Sequence, residues 1–136
     1  MMPLDTSSPE SNCRVLLVND NADATESLAM LLELAGFATG TATSGPLALK
    51  VGADQQPSVV LLDIGMPDMD GYETCRRMRA THWGGSIPII AMTGWGDDAD
   101  HLRSRQAGFS AHLVKPVEPD ELLDLLRRIP GCEGTA

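Results

Sequence analysis

The chain has 136 residues, which is the length of a single domain and enough to bury a hydrophobic core. Its 10 Lys and Arg against 19 Asp and Glu give a formal net charge of −9. Such acidity argues against nucleic-acid binding, because nothing offsets the repulsion from phosphates, and an aromatic content of 4% argues against a stacking platform.

The chain begins with residues 1–12, which are polar and rich in Ser and Pro, so we expect a disordered leader there. These residues lack the basic start and apolar core of a signal peptide, and no apolar run along the chain approaches the length of a membrane span. We expect one folded domain over residues 13–130 and a short tail over residues 131–136.

Within the domain, apolar runs typical of strands alternate with segments of helical periodicity. Strands are predicted at residues 14–19, 37–43, 58–63, 87–93 and 111–115. The second of these has the weakest strand signal. Helices are predicted at residues 21–35, 72–80, 97–107 and 118–129. A further short helix is predicted directly after Ser44, which would cap it. Five strands alternating with five helices predict βαβ units, a parallel sheet and right-handed crossovers.

The cysteines are few and show no ligand spacing. Cys13, Cys75 and Cys132 form an odd, sparse set, which suits a reducing cytosol and argues against a disulfide framework or a zinc site. We therefore expect a cytoplasmic protein without disulfides.

Polar side chains stand at the carboxyl ends of four predicted strands. These ends carry Asn19 and Asp20, then Asp63, then Thr93, then Lys115 and Pro116. In a parallel α/β sheet, ligands bind beyond the carboxyl ends of the strands, so we expect these groups to converge on one face. Carboxylates suit Mg²⁺ and an ammonium suits a phosphoryl oxygen, which predicts a site for a cation and a phosphate.

The motifs VLLVNDN, LLDIGMPDMDG, AMTG and HLVKPV, in this order and spacing, resemble those of the response-regulator receiver (CheY-like) family. The resemblance covers about residues 14–129 and implies a doubly wound (βα)5, flavodoxin-like α/β fold with strand order 2-1-3-4-5. It also implies that Asp63 accepts a phosphoryl group. The other site positions implied are Asp20 and Gly65 as Mg²⁺ ligands beside Asp63, Thr93 and Lys115 on the phosphoryl group, and Pro116 after a cis peptide bond.

The implied function is a regulatory switch with at most weak self-dephosphorylation, not a turnover enzyme. A carboxylate is a competent nucleophile toward phosphorus, and Mg²⁺ with Lys115 would neutralise charge on the transferring group. The expected donor is a sensor histidine kinase or a histidine phosphotransfer protein. The face of helix four, strand five and helix five is expected to bind a downstream protein or a second copy.

Three positions carry further hypotheses. Asn19 stands where the family often has an acidic residue, so it would orient a metal-bound water without adding charge. His112 replaces the usual aromatic switch residue, and a histidine there would make the response pH-dependent. Trp95 lines the expected path of the attacking water and would slow hydrolysis of the acyl phosphate.

Four alternatives remain open. Residues 94–123 resemble receivers of hybrid histidine kinases, so the chain could be such a segment. A Mg²⁺-dependent phosphatase with an aspartate nucleophile would need a second Asp two residues after the first, and Gly65 occupies that position. A flavin-binding module would need a Ser/Thr/Gly-rich phosphate loop after the first strand. Residues 19–27 instead carry carboxylates, which repel phosphate. A degenerate receiver conflicts with the retained site residues.

The other polar and aromatic residues receive structural interpretations. Asp68 and Asp70 are expected in a turn, His82 and His101 on the surface, and the methionines in the core. Trp83 falls in a loop where it could be exposed, and it is given no role.

Overall fold

The structure, a computed structural model, describes residues 13–64, 71–94, 98–129 and 132, with residues 98–101 described through their backbone only. The predicted leader and most of the predicted tail lie outside the described residues. So do Gly65, Trp95 and the turn that contains Asp68 and Asp70.

Five parallel strands alternate with five helices through the described chain. The strands are β1 (Arg14–Val18), β2 (Ala38–Ala42), β3 (Val59–Asp63), β4 (Ile89–Thr93) and β5 (Ala111–Val114). The helices are α1 (Ala22–Leu34), α2 (Gly45–Gln55), α3 (Gly71–Arg79), α4 (Asp98–Ala107) and α5 (Pro119–Arg127). The sheet order is β2-β1-β3-β4-β5, which confirms the predicted fold class and strand order.

Local sequence signals explain where several elements begin and end. Ser44 caps α2, because its side chain accepts a hydrogen bond from the N–H of Leu47 at 3.2 Å. Gly108 follows α4 with φ of +108°, a conformation that glycine adopts without strain. The fourth strand begins at Ile89, two residues later than predicted, since Pro88 has no N–H to donate to the ladder.

The sheet is covered by helices on both faces. Alternate strand residues such as Leu16, Leu62 and Ala91 pack in one core with α2, α3 and α4. The intervening residues, including Leu17 and Leu61, pack in a second core with α1 and α5. Because both faces of each central strand are buried, the polar groups of those strands are concentrated at their ends.

The structure corrects the expectation that Trp83 is exposed. Trp83 is buried, with 7% of its surface accessible, and belongs to the core under α2 and α3. A Cβ atom added at Gly52 of α2 would lie 2.2 Å from Cη2 of the indole. The loop residue therefore enters the core because a glycine thirty-one positions earlier leaves room for the ring.

The expectation of no disulfide is also wrong. Cys13 and Cys132 are bonded to each other, and both are fully buried. The amino end of β1 and the chain after α5 meet at the same end of the molecule, which brings the two Cα atoms to 5.1 Å. The disulfide removes cysteine usage as an argument for a reducing compartment, so the cytoplasmic location stays a prediction.

The described helices offer no candidate for a membrane span, since none combines sufficient length with sufficient apolar character.

Candidate functional site

A cleft of about 620 Å³ opens at the carboxyl ends of the strands. Its polar lining includes Asp20, Asp63, Lys115 and the neighbouring Asn19 and Asn21. The rest of its lining is mostly apolar and comes from α1, from the sheet and from the segment that follows β5. The cleft therefore brings both predicted carboxylates and the predicted lysine to one place.

Asp63 is the last residue of β3, and its side chain is only 5% exposed. Lys115 lies just beyond β5, and its Nζ donates to Oδ2 of Asp63 at 2.8 Å. The lysine side chain is 40% exposed, so the ion pair joins a buried anion to a cation that still contacts solvent.

Two backbone features flank the side chain of Lys115. Its N–H donates to the carbonyl of Thr93 at 2.7 Å, which ties it to the end of β4. The peptide bond between Lys115 and Pro116 is cis, and Pro116 lines the cleft. Thr93 itself is buried, with 1% of its surface accessible, and ends the strand next to the one that carries Asp63.

Asp20 lies in the turn between β1 and α1 and is exposed, with its side chain lining the cleft. Asn19, before it, is partly buried, and its Oδ1 accepts from the N–H of Asn21 at 2.9 Å. Asn21 is the residue that sequence reasoning missed here. Its side chain caps α1, and the signal available was an asparagine, a residue type that favours helix caps, at the very start of the predicted helix.

The structure places His112 away from the Asp63 cleft. It is partly buried on β5 and lines a separate groove of about 270 Å³ with Glu121, Asp124 and Arg128 of the α5 region. Its predicted role as a switch residue stays a prediction. The predictions for Gly65 and Trp95 fall outside the described residues.

The donor set of the cleft fits Mg²⁺. Asp20 and Asp63 supply carboxylate oxygens to one cavity, and Mg²⁺ commonly binds through one or two carboxylates while keeping several waters. In the described part of the chain, no three His, Cys, Asp or Glu side chains group closely enough to hold a metal by themselves. The remaining ligands would therefore be waters, backbone carbonyls or oxygens of a bound phosphate.

Comparison with known proteins decides the family. The model of the response regulator receiver domain matches residues 15–127, which include both carboxylates and every strand residue except Arg14 at the start of β1. The chain belongs to the response regulator receiver domain family. Members of this family are regulatory domains of two-component signalling that interact with histidine kinases or phosphotransfer proteins and bind Mg²⁺ in the active site.

A curated relative agrees with this assignment. The chain is 36% identical over 120 residues to the probable transcriptional regulator ycf27 of Guillardia theta, covering 88% of this chain and 46% of that protein. It therefore spans about half the length of that relative.

Two solved structures share the fold. The chemotaxis protein CheY4 of Vibrio cholerae superposes with a TM-score of 0.83 at 28% identity, covering 88% of this chain and 99% of that one. The receiver domain of the sensor histidine kinase PA1611 from Pseudomonas aeruginosa superposes with a TM-score of 0.78 at 30% identity, covering 88% and 98%. That structure is described with a magnesium ion coordinated in its active-site cleft.

Proposed function

We propose that Asp63 accepts a phosphoryl group from a phosphohistidine on a sensor histidine kinase or a histidine phosphotransfer protein. The observation that carries this proposal is the 2.8 Å pair between the buried Asp63 carboxylate and Lys115, in a cleft shared with Asp20. The chain would then act as a phosphorylation-controlled switch.

The transfer step follows from the groups in the cleft. An oxygen of the Asp63 carboxylate forms a bond to phosphorus while the bond from phosphorus to the donor imidazole nitrogen breaks, and that nitrogen keeps the electron pair. Lys115 is exposed enough to shift from the carboxylate toward a phosphoryl oxygen as negative charge moves there.

The metal would be held by Asp20 and Asp63, with the Gly65 carbonyl as a further proposed ligand. When bound, Mg²⁺ supplies positive charge that neutralises the oxygens of the transferring group. Asp20 contributes a second carboxylate whose repulsion from Asp63 is relieved by the cation.

The switch would run from the phosphoryl group to the β5 edge of the sheet. Thr93 is proposed to contact the phosphoryl group, and its carbonyl already holds the N–H of Lys115 at the end of β5. Movement of Thr93 is therefore transmitted to β5 through a direct hydrogen bond. We propose that the face of α4, β5 and α5 changes in response.

That face has features that support protein binding. Leu102 of α4 is 52% exposed, and Val114 of the edge strand β5 is 45% exposed. Both side chains expose apolar surface that a bound partner would cover. The proposed partner is a downstream protein or a second copy of this chain.

A receiver segment of a hybrid histidine kinase is the second candidate. The likeness to the receiver domain of the sensor kinase PA1611 favours it. The phosphoryl chemistry on Asp63 is the same in either case. The family match leaves the phosphatase and flavin-module alternatives without support.

Phosphorylation by a small donor tests the proposal. The protein is incubated with phosphoramidate, a donor with a P–N bond, and with Mg²⁺, and its intact mass is measured. Wild type and the control Asp54→Asn, an exposed carboxylate of α2, should each gain one phosphoryl mass. Asp63→Asn should gain none, and a wild type that gains none would contradict the proposal.

A further inference from the structure

Asp20 lies between two asparagines whose side chains both bind backbone N–H groups. Oδ1 of Asn19 accepts from the N–H of Asn21 at 2.9 Å, so this bond closes a turn around Asp20. Oδ1 of Asn21 accepts from the N–H of Ala24 at 3.1 Å, in the first turn of α1. The residue before Asp20 and the residue after it are thus both fixed by their own side chains.

The same turn is anchored at both ends to the rest of the fold. The N–H of Asn19 donates to the carbonyl of Ala42 at 3.1 Å, which joins the turn to the end of β2. The carbonyl of Asn21 accepts from Thr25 twice, from its N–H at 3.1 Å and from its Oγ1 at 2.8 Å. Thr25 is 4% exposed, so the helix end of the turn is held by a buried side chain.

Asp20 itself is exposed, in contrast to the buried Asp63. Packing therefore does little to place its carboxylate, and its backbone determines where the side chain enters the cleft. Ligands that are held in place before an ion arrives bind it more tightly, because less ordering remains to be done.

We propose that Asn21 is a positioning residue for the Mg²⁺ site, and that together with Asn19 it holds the Asp20 carboxylate facing Asp63. This inference rests on the proposed function, since it concerns the same cleft. It gives Asn19 a role in the turn that is independent of any metal-bound water.

The test compares two helix caps of the same kind. Asn21→Ala removes the cap of α1, and Ser44→Ala removes the cap of α2, where Oγ accepts from an N–H at 3.2 Å. Both changes remove one side-chain acceptor three residues before its donor, so the midpoints of urea unfolding should fall by similar amounts. Ser44 does not line the cleft, which makes Ser44→Ala the matched control.

Mg²⁺ affinity is measured by calorimetric titration of each folded variant. Asn21→Ala should bind Mg²⁺ several-fold more weakly, because more of the turn around Asp20 has to be ordered when the ion binds. Asn21→Ser restores a cap and should bind within a factor of about two of wild type. Ser44→Ala should bind Mg²⁺ as wild type does, although its stability is reduced.

Three outcomes would overturn the inference. Unchanged affinity in Asn21→Ala shows that Asp20 needs no such support, while the proposed function stands. An equal loss in Ser44→Ala assigns the effect to overall stability. A wild type that binds no Mg²⁺ removes both this inference and the metal part of the proposed function.

Discussion

Lys115 donates to Asp63 across the cleft at 2.8 Å, and the two residues differ sharply in exposure, at 40% and 5% for their side chains. A nearly buried carboxylate depends on its cation more than an exposed one does. Lys115 is thus placed both to stabilise the Asp63 carboxylate in the unphosphorylated site and to neutralise negative charge on an incoming phosphoryl group.

Replacing Lys115 with Met should slow phosphorylation of Asp63 strongly. We expect the rate with a small phosphodonor to fall about 100-fold, because a positive charge on the transferring group is lost. The free energy of unfolding should fall by about 1 kcal/mol, since the ion pair is partly exposed. The control is Lys50→Met, on the exposed side of α2; equal rates in the two variants would refute a role for Lys115.

Replacing Asn19 with Asp should strengthen Mg²⁺ binding. A carboxylate keeps an oxygen that can accept from the N–H of Asn21, and it adds a negative charge beside Asp20. We expect a gain of several-fold in affinity at low ionic strength, and a smaller gain at high salt, because part of the attraction is screened. Calorimetric titration at two salt concentrations measures this, and identical affinities at low salt would show that the missing charge is irrelevant.

Gly52→Ala should destabilise the fold even though alanine is the better helix former. The new Cβ would lie 2.2 Å from the Trp83 ring, and overpacking of a core usually costs about 1–3 kcal/mol. Gly85→Ala is the control, since its Cβ would meet its nearest atom at 3.6 Å. The urea concentration at the midpoint of unfolding should be lower for Gly52→Ala than for Gly85→Ala. Adding Trp83→Leu to Gly52→Ala should relieve the clash and raise that midpoint. A stable Gly52→Ala would disprove this packing.

Thiol counting tests the disulfide. Protein unfolded in urea without reductant should react with a thiol reagent at Cys75 alone, because Cys13 and Cys132 are bonded. The native protein should react slowly even at Cys75, since burial raises the pKa of that thiol to about 11, against the opposing effect of Arg79 and Arg76. Three reactive thiols in the unfolded, unreduced protein would show that the bond is absent.

Reduction should also lower stability. The bond closes a separation of 119 residues, and a loop of about that length corresponds to about 4–5 kcal/mol in the chain-entropy account. The midpoint temperature of thermal unfolding of the wild type should therefore be many degrees lower with a dithiol than without one. The variant Cys13→Ser should show no such difference.

The sheet and most of the site were predictable because their signals are local. Apolar runs marked the strands, and polar residues such as Asp63 and Lys115 stood at the carboxyl ends of these runs, where parallel strands present their ends together. Capping residues such as Ser44 marked helix starts within a few positions.

The errors concern relationships between distant residues. The disulfide joins the first described residue to the last, and no spacing rule connects them. The burial of Trp83 depends on Gly52 in another helix, and a loop tryptophan looks the same in sequence with or without that space. Asn21, by contrast, is next to Asp20 in the chain. The positioning role proposed for it depends on a hydrogen bond that closes the turn, and composition does not specify that bond.

Chemical trapping of the phosphorylated residue tests the central claim most directly. Wild-type protein is phosphorylated with a small donor and Mg²⁺, then treated with borohydride, which reduces an acyl phosphate of aspartate to homoserine. Peptide sequencing by mass spectrometry should find homoserine at position 63 and at no other aspartate, and none should form without the donor. Homoserine at Asp20 in place of Asp63, or none at any position, would contradict the account.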